Sequence, residues 1–514
     1  MSRNAGVLIP LFSLRTRDDL GRGEIGGLTA MADVALKMGH RVIQLLPLDD
    51  LAPGETSPYT AMSVFAIEPI YVSARGLEGV DAAVLDAARE RVAGRDYMEI
   101  RAAKLGLLER SFQFFIEHAS SEQRREFESF VAANHKWLPD YALFRALKER
   151  FNWSEWESWP EPLRRRDEAA LAEAKRDLAR EIMMYSHWQF LAHRQWLQVR
   201  AELKRRGVMV GGDLAFSPGR ESAEVWTHQE RFDLERFVGA PPDGFSATGQ
   251  HWGLPMPRWD RIHSGGYELI RMRVRRAREL YDLLRIDHVV GLFRTYSFGS
   301  DPDAPGEFSP ALEADQRRQG EEIIRAILEE AGPMAIIAED LGLIPPFVRK
   351  SQKALGVPGY KVIRWEKENW GKINERFISP AKYPELSVAT TGTHDTDTLT
   401  MWWSALPQEE RRQLCAALGI ERAVDIHRGS LDEQALHAIL EALYRAPSRL
   451  VLVPIQDLFG WGARINTPGT VGPDNWSWRL PLPLEQMTQN ADMLARLSTL
   501  RAIAERTGRF QEGG

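Results

Sequence analysis

Leu283-Leu284-Arg285-Ile286-Asp287-His288-Val289-Val290-Gly291 is an apolar run that carries three polar side chains near its middle. Near-continuous apolar character of this length marks a strand buried on both faces, as in a parallel sheet. Three runs of the same kind precede it: Val7–Leu14, Val42–Leu48 and Val208–Phe216. Four follow it: Ala335–Leu341, Tyr360–Trp365, Val388–Thr393 and Leu450–Gln456. Helical patterns lie between them. Leu28, Met31, Ala35 and Met38 share one face of a segment that stops at Gly39, and Ile324, Ala326 and Ile327 precede Gly332. Strand–helix alternation with eight strands predicts an α/β fold, a (β/α)8 TIM barrel. A doubly wound open sheet has the same alternation and is the structural alternative; the count of eight favours the barrel.

The gap between the second and third runs is too long for one crossover. Leu108, Phe112, Phe115 and Ile116 fall at helical spacing, Ser120 and Gln123 make a capping box, and Asp140–Arg150 and Leu171–Arg206 continue the helical pattern. The expected division is a barrel from 1–76 and 207–514, with a mainly helical subdomain inserted at 77–206 and further loop insertions. Pro139 and Trp159–Pro162 are expected breaks inside it. Arg164–Arg166 reads most simply as a solvated helix face.

Composition narrows the function. The chain has 514 residues, 44% hydrophobic and 27% charged, ordinary for a globular protein. A net charge of -6 speaks against nucleic acid as a partner, because no surplus of cations exists to displace phosphate counterions. The single cysteine, Cys415, allows no intrachain disulfide and no cysteine zinc cluster. With no secretory leader in the N-terminal segment and no long uncharged apolar stretch, a cytoplasmic protein with no membrane partner is expected. The 16 tryptophans are mostly explained by core packing; aromatic faces that stack on sugars are the other use.

Catalytic groups of a barrel sit where strands end. The runs end in Gly212-Asp213, Arg285-Ile286-Asp287-His288, Ala338-Glu339-Asp340, Gly392-Thr393-His394-Asp395 and Gln456-Asp457. Like charges converging on one mouth push pKa values apart. Arg285 and Asp287, two apart on a strand, share a face, so the arginine would keep the aspartate ionised, as a nucleophile requires. A structural ion pair is the alternative. Glu339 follows Ile336-Ile337-Ala338, and an apolar approach raises a carboxyl pKa, as suits a general acid; a helix cap or loop salt bridge is its alternative. His394 and Asp395 are more simply a hydrogen-bonded loop than metal ligands. Two carboxylates at neighbouring strand ends fit glycoside chemistry, as nucleophile and acid/base.

At these residues the chain resembles the 4-alpha-glucanotransferases, also called amylomaltases or disproportionating enzymes, over nearly its whole length. The matching segments are Ser57-Pro58-Tyr59, Gly212-Asp213, Ser222–Trp226, Thr248-Gly249-Gln250 with Trp252-Gly253, Arg285–His288, Ala338–Gly342, Gly392–Asp395, Pro454–Asp457, Asn466–Gly469 and Asn475–Arg479. The resemblance implies retaining transfer of alpha-1,4-glucan segments between maltodextrins, with glucose release and no metal or organic cofactor. It implies Asp287 as nucleophile, Glu339 as acid/base and Asp395 as a third carboxylate that holds sugar hydroxyls. Arg285 and His394 would be its hydrogen-bonding neighbours, His288 a substrate-binding residue, Tyr59 a sugar platform, Asp213 and Asn466 subsite-lining residues. Gln250 and Trp252 would belong to a lid loop from Phe245 to Pro257. The chain departs from the usual pattern at Glu55-Thr56, Glu68, Ala247 and Gly253–Pro257, which points to the lid and acceptor side. A related hydrolase or a transferase with altered acceptor is the neighbouring reading. A catalytically silent glucan-binding protein is the non-enzyme reading.

Overall fold

Eight parallel strands pair side by side and close on themselves: β1 (Asn4–Leu8), β2 (Val42–Gln44), β3 (Met209–Leu214), β4 (Leu283–Ile286), β5 (Ala335–Ala338), β6 (Gly359–Val362), β7 (Ser387–Thr390) and β8 (Leu450–Pro454). Val7 pairs with Ile43 on one side and Val453 on the other, which completes the ring. The computed structural model describes residues 3–242, 249–299, 301, 304–369, 371–372 and 374–511.

The apolar runs overshoot most strands because the chain leaving each strand stays buried. The first run is displaced as well. β1 starts at Asn4, and Leu11–Ser13 form a single 3-10 turn after Pro10, which has no N–H to extend a ladder. Inside the barrel, Gln44 donates to the Gly212 carbonyl at 2.8 Å. A Cβ on Gly211 would come within 2.2 Å of the Gln44 side-chain oxygen, so a side chain there would displace Gln44. The helix Gly27–Lys37 stops where Gly39 takes a φ of +72°, and Glu313–Ala331 stops at Gly332.

Between β2 and β3 the chain forms helices Ala82–Val92, Tyr97–His118, Ser121–Ala133, Leu138–Arg150, Glu168–Asp177 and Ala179–Arg205, with a short turn Glu161–Arg164. Both halves of the Ser120–Gln123 capping box form. Pro139 opens a helix in its first turn rather than breaking one. The last helix doubles as the crossover into β3. Its Trp196 indole donates to the Leu280 carbonyl at 2.8 Å, and Arg200 pairs with Asp282 at 2.8 Å. The arginine triplet divides: Arg165 stays exposed beside Glu161, but Arg166 pairs with Asp140 at 2.7 Å and lies 4.2 Å over the Trp226 ring. Arg166 is therefore a packed residue, not part of a solvated face.

Buried charges join these helices to the segments after β1 and after β2. Arg101 meets Glu68 at 2.6 Å, Arg145 meets Asp50 at 2.9 Å, Tyr141 donates to Asp50 at 2.7 Å, and Lys104 reaches Glu24 at 2.5 Å. Glu68, expected on the acceptor side, is a fully buried anchor instead.

The expected lid loop is largely a strand. Gln250–Pro257 pairs antiparallel with Phe232–Ala240, which pairs with Thr295–Phe298, and Glu307–Ser309 completes a four-stranded sheet. The part of the expected lid at 245–248, including Ala247, lies outside the described residues. No helix among the described residues is long and apolar enough to cross a membrane.

Candidate active site

At the C-terminal ends of the strands lies a cleft of about 440 Å³. Its walls include Tyr59, Gln250, Trp252, Arg285, Asp287, His288, Glu339, His394, Asp395 and Asn466, ten of the eleven side chains that the sequence singles out. Asp213 is the exception. Its carboxylate is fully buried below the cleft, where Arg285 contacts both oxygens at 2.8 Å and the Tyr59 hydroxyl donates at 2.8 Å. Asp213 thus supports the cleft wall and does not line it.

β4 and β5 place the central pair. Their register matches Ile286 with Ala338, so Asp287 and Glu339 leave adjacent strands as the next residues of each. The same Arg285 nitrogen that holds Asp213 reaches Asp287 at 2.7 Å. Burial opposes the charge on Arg285, but Asp213 and Asp287 outweigh it and hold its pKa well above the ordinary value. Glu339 is anchored differently. One oxygen accepts from the His288 backbone N–H at 2.9 Å, the other from Leu341 N–H at 2.6 Å. Burial pushes its pKa up to about 7; Arg285 opposes the rise and Asp287 adds to it. His288 takes the left-handed conformation, φ 47°, which turns its N–H toward Glu339 and its ring under Trp252. Burial lowers the imidazole to about 4, so the ring is neutral at pH 7.

A second cluster faces the pair. Asn466 donates to Asp395 at 2.6 Å, and His394 lies 3.2 Å from the other oxygen. Burial would raise the Asp395 pKa, but the His394 imidazole outweighs it and holds the carboxyl down to about 2. Burial also opposes charging His394, and Asp395 reverses that, raising the imidazole above its usual value. Tyr59 stacks on His394 with ring centres 5.3 Å apart, and Trp476 leans on both. Asp457, at the end of β8, is spent on structure: it accepts from Leu399 N–H and the Thr391 hydroxyl, each at 2.6 Å. Among the described residues no three His, Cys, Asp or Glu side chains gather as a metal site.

Three contributors escape a search for polar residues at strand ends. Trp365 and Trp476 line the cleft, and Arg464 grips Asp397, the Asp395 carbonyl and the Asn466 carbonyl. An aromatic residue closing the run Tyr360–Trp365 was the available signal for Trp365. Arg464 is 69 positions from Asp395 and carried none.

The family model for 4-alpha-glucanotransferase matches residues 9–485. The chain belongs to the 4-alpha-glucanotransferase family. It is accordingly a transferase of alpha-1,4-glucan segments that works with retention. The 4-alpha-glucanotransferase of Thermus thermophilus is 35% identical over 483 residues, covering 92% of each chain. That of Chlamydia pneumoniae is 32% identical over 501 residues, covering 94% of this chain and 92% of its own. Among solved structures, the amylomaltase from Streptococcus agalactiae in complex with acarbose superposes with a TM-score of 0.86 at 27% identity, covering 99% of this chain and all of that one.

Proposed function

We propose that this 4-alpha-glucanotransferase disproportionates maltodextrins through a glycosyl ester on Asp287, with Glu339 as acid and then base. The observation that carries this assignment is the contrast between two neighbouring carboxylates. Asp287 is ion-paired to Arg285 at 2.7 Å, while Glu339 accepts only from two backbone N–H groups and is pushed up to about 7 by burial. Such divergence separates nucleophile from acid. Adjacent strands lie about 5 Å apart, and carboxyls of retaining enzymes are separated by about 5–5.5 Å. A pair leaving neighbouring strands in register suits retention.

In the first step Glu339 gives its proton to the glycosidic oxygen as Asp287 attacks the anomeric carbon. The carbon–oxygen bond breaks, and the leaving chain departs with a new 4-hydroxyl. In the second step the 4-hydroxyl of another glucan gives its proton to Glu339 and attacks the same carbon, freeing Asp287. Two inversions restore the configuration. Asp395, kept ionised by His394 and oriented by Asn466, holds sugar hydroxyls and stabilises positive charge at the ring. Tyr59, Trp365 and Trp476 supply apolar faces for sugar rings. Gln250 and Trp252, on the strand over the cleft, keep water from the ester while an acceptor enters. The protein works on alpha-1,4-glucans as donor and acceptor, in the cytoplasm, where its lone buried cysteine would stay reduced.

Incubation with maltotriose tests the reading. Glucose plus a ladder of longer maltodextrins, at a constant total of reducing ends, is the expected outcome. Glucose and maltose alone, with reducing ends rising, would sink transfer.

A further inference from the structure

A second cavity, of about 760 Å³, opens at the opposite end of the barrel. Asn4 at the start of β1, Met209 at the start of β3, and Asp282 and Met334 just ahead of β4 and β5 form its floor. Six cationic side chains line it: Arg3, Arg41, Arg200, Lys204, Arg278 and Arg509. Asp282 is the only carboxylate in its described lining, so six positive charges against one negative leave an excess of five. Asp282 is itself committed, to Arg200 at 2.8 Å and to the Val210 N–H at 3.1 Å.

Helix ends do not neutralise this charge. Six helices, Gly27–Lys37, Ala179–Arg205, Glu268–Leu280, Glu313–Ala331, Glu433–Tyr444 and Ala491–Arg506, end at this face. A helix C-terminus carries roughly half a negative charge, so six offset about three of the five. About two remain.

Arg509 sharpens the case. Its guanidinium is buried, and its nitrogens donate to the carbonyls of Asn4, Tyr444, Ala446 and Ser448, with no carboxylate partner among the described residues. Burial, then the nearby Arg3, lowers its pKa to about 9, as a cation without a counter-charge requires. Lys204, on the rim, is exposed, and among the described residues no hydrogen bond or ion pair engages its ammonium.

We propose that this cavity is a binding site for a phosphate-bearing small molecule. Planar guanidiniums and an ammonium around a concavity suit the several oxygens of a phosphate group. The residual charge calls for a multivalent anion, and the volume is of the size that holds a small organic ligand rather than a lone ion. The phosphate could come from pyrophosphate, from a sugar phosphate or from a nucleotide. A polynucleotide is disfavoured, because the cations are gathered in a pocket and the chain as a whole carries -6.

Calorimetric titration of the full chain with pyrophosphate, glucose 1-phosphate and ADP tests this, with sodium chloride at matched ionic strength as control. Saturable binding of at least one, with a rise in Tm beyond the salt control, is expected, and the tightest identifies the source. Lys204→Ala should weaken that binding about fivefold or more through loss of one charge-assisted contact. Adding Arg278→Ala should abolish it, while maltotriose turnover stays unchanged in both variants. Absence of saturable binding by all three, or binding of wild-type strength in Lys204→Ala, would overturn the proposal.

Discussion

Glu339 and Asp287 are one strand apart and opposite in circumstance. Arg285 touches Asp287, whereas Glu339 accepts from two backbone N–H groups. A general acid must be protonated when it acts, so the sign of its pH dependence follows directly. As pH rises through about 7, Glu339 loses its proton and kcat/KM for a maltodextrin donor falls. Rate profiles from pH 5 to 9 should show that alkaline limb in the wild type. Glu339→Gln should lose the limb, with kcat/KM lower by about 10²–10⁴-fold; a limb that persists in the variant assigns the proton elsewhere. The apolar approach Ile336-Ile337-Ala338 made the shift of Glu339 legible in the sequence, and the spacing of Arg285 and Asp287 made their pairing legible. Asp213 was legible as a strand-end carboxylate but not as a buried support. Its partners, Tyr59 and Arg285, lie 154 and 72 positions away.

At the scale of elements, the strand over the cleft shows where pattern reading stops. Gln250–Pro257 contains Gly253, Pro255 and Pro257, which mark a loop by local preference. It nevertheless forms a strand because it is the edge of its sheet, paired only with Phe232–Ala240, and an edge tolerates prolines that donate no ladder bond. Trp252 projects from it edge-on to His288, ring centres 4.7 Å apart. Trp252→Ala should open the cleft to water, so new reducing ends should accumulate per glucose released from maltotriose. An unchanged ratio would remove Trp252 from water exclusion. The eight barrel strands were legible because burial on both faces leaves near-continuous apolar runs. The buried charges that join barrel and helical insertion were not, since Glu68 and Arg101 belong to different elements. Removing one partner strands the other in a dry interior. Glu68→Ala should destabilise the protein by about 3–5 kcal/mol in denaturant titrations, and Glu68→Ala with Arg101→Met should recover much of that. A loss below about 1 kcal/mol in the single variant, the range of exposed pairs, would mean the pair is solvated.

Across the whole molecule the barrel is polarised. Asp213, Asp287, Glu339 and Asp395 collect at the C-terminal ends of the strands, and six Arg and Lys side chains line the cavity at the other end. The carboxylate end holds the cleft, where the register of β4 and β5 sets Asp287 and Glu339 side by side. The central claim is that Asp287 carries the sugar between donor and acceptor. It is tested most directly by treating Glu339→Gln with maltotriosyl fluoride. Fluoride leaves without a proton, so the ester forms; without Glu339 as base, its transfer to an acceptor stalls. Digestion and mass analysis should find one maltotriosyl group, on the peptide containing Asp287. An adduct on Asp395, or turnover of the fluoride with no adduct in both Glu339→Gln and acceptor-starved wild type, would contradict it.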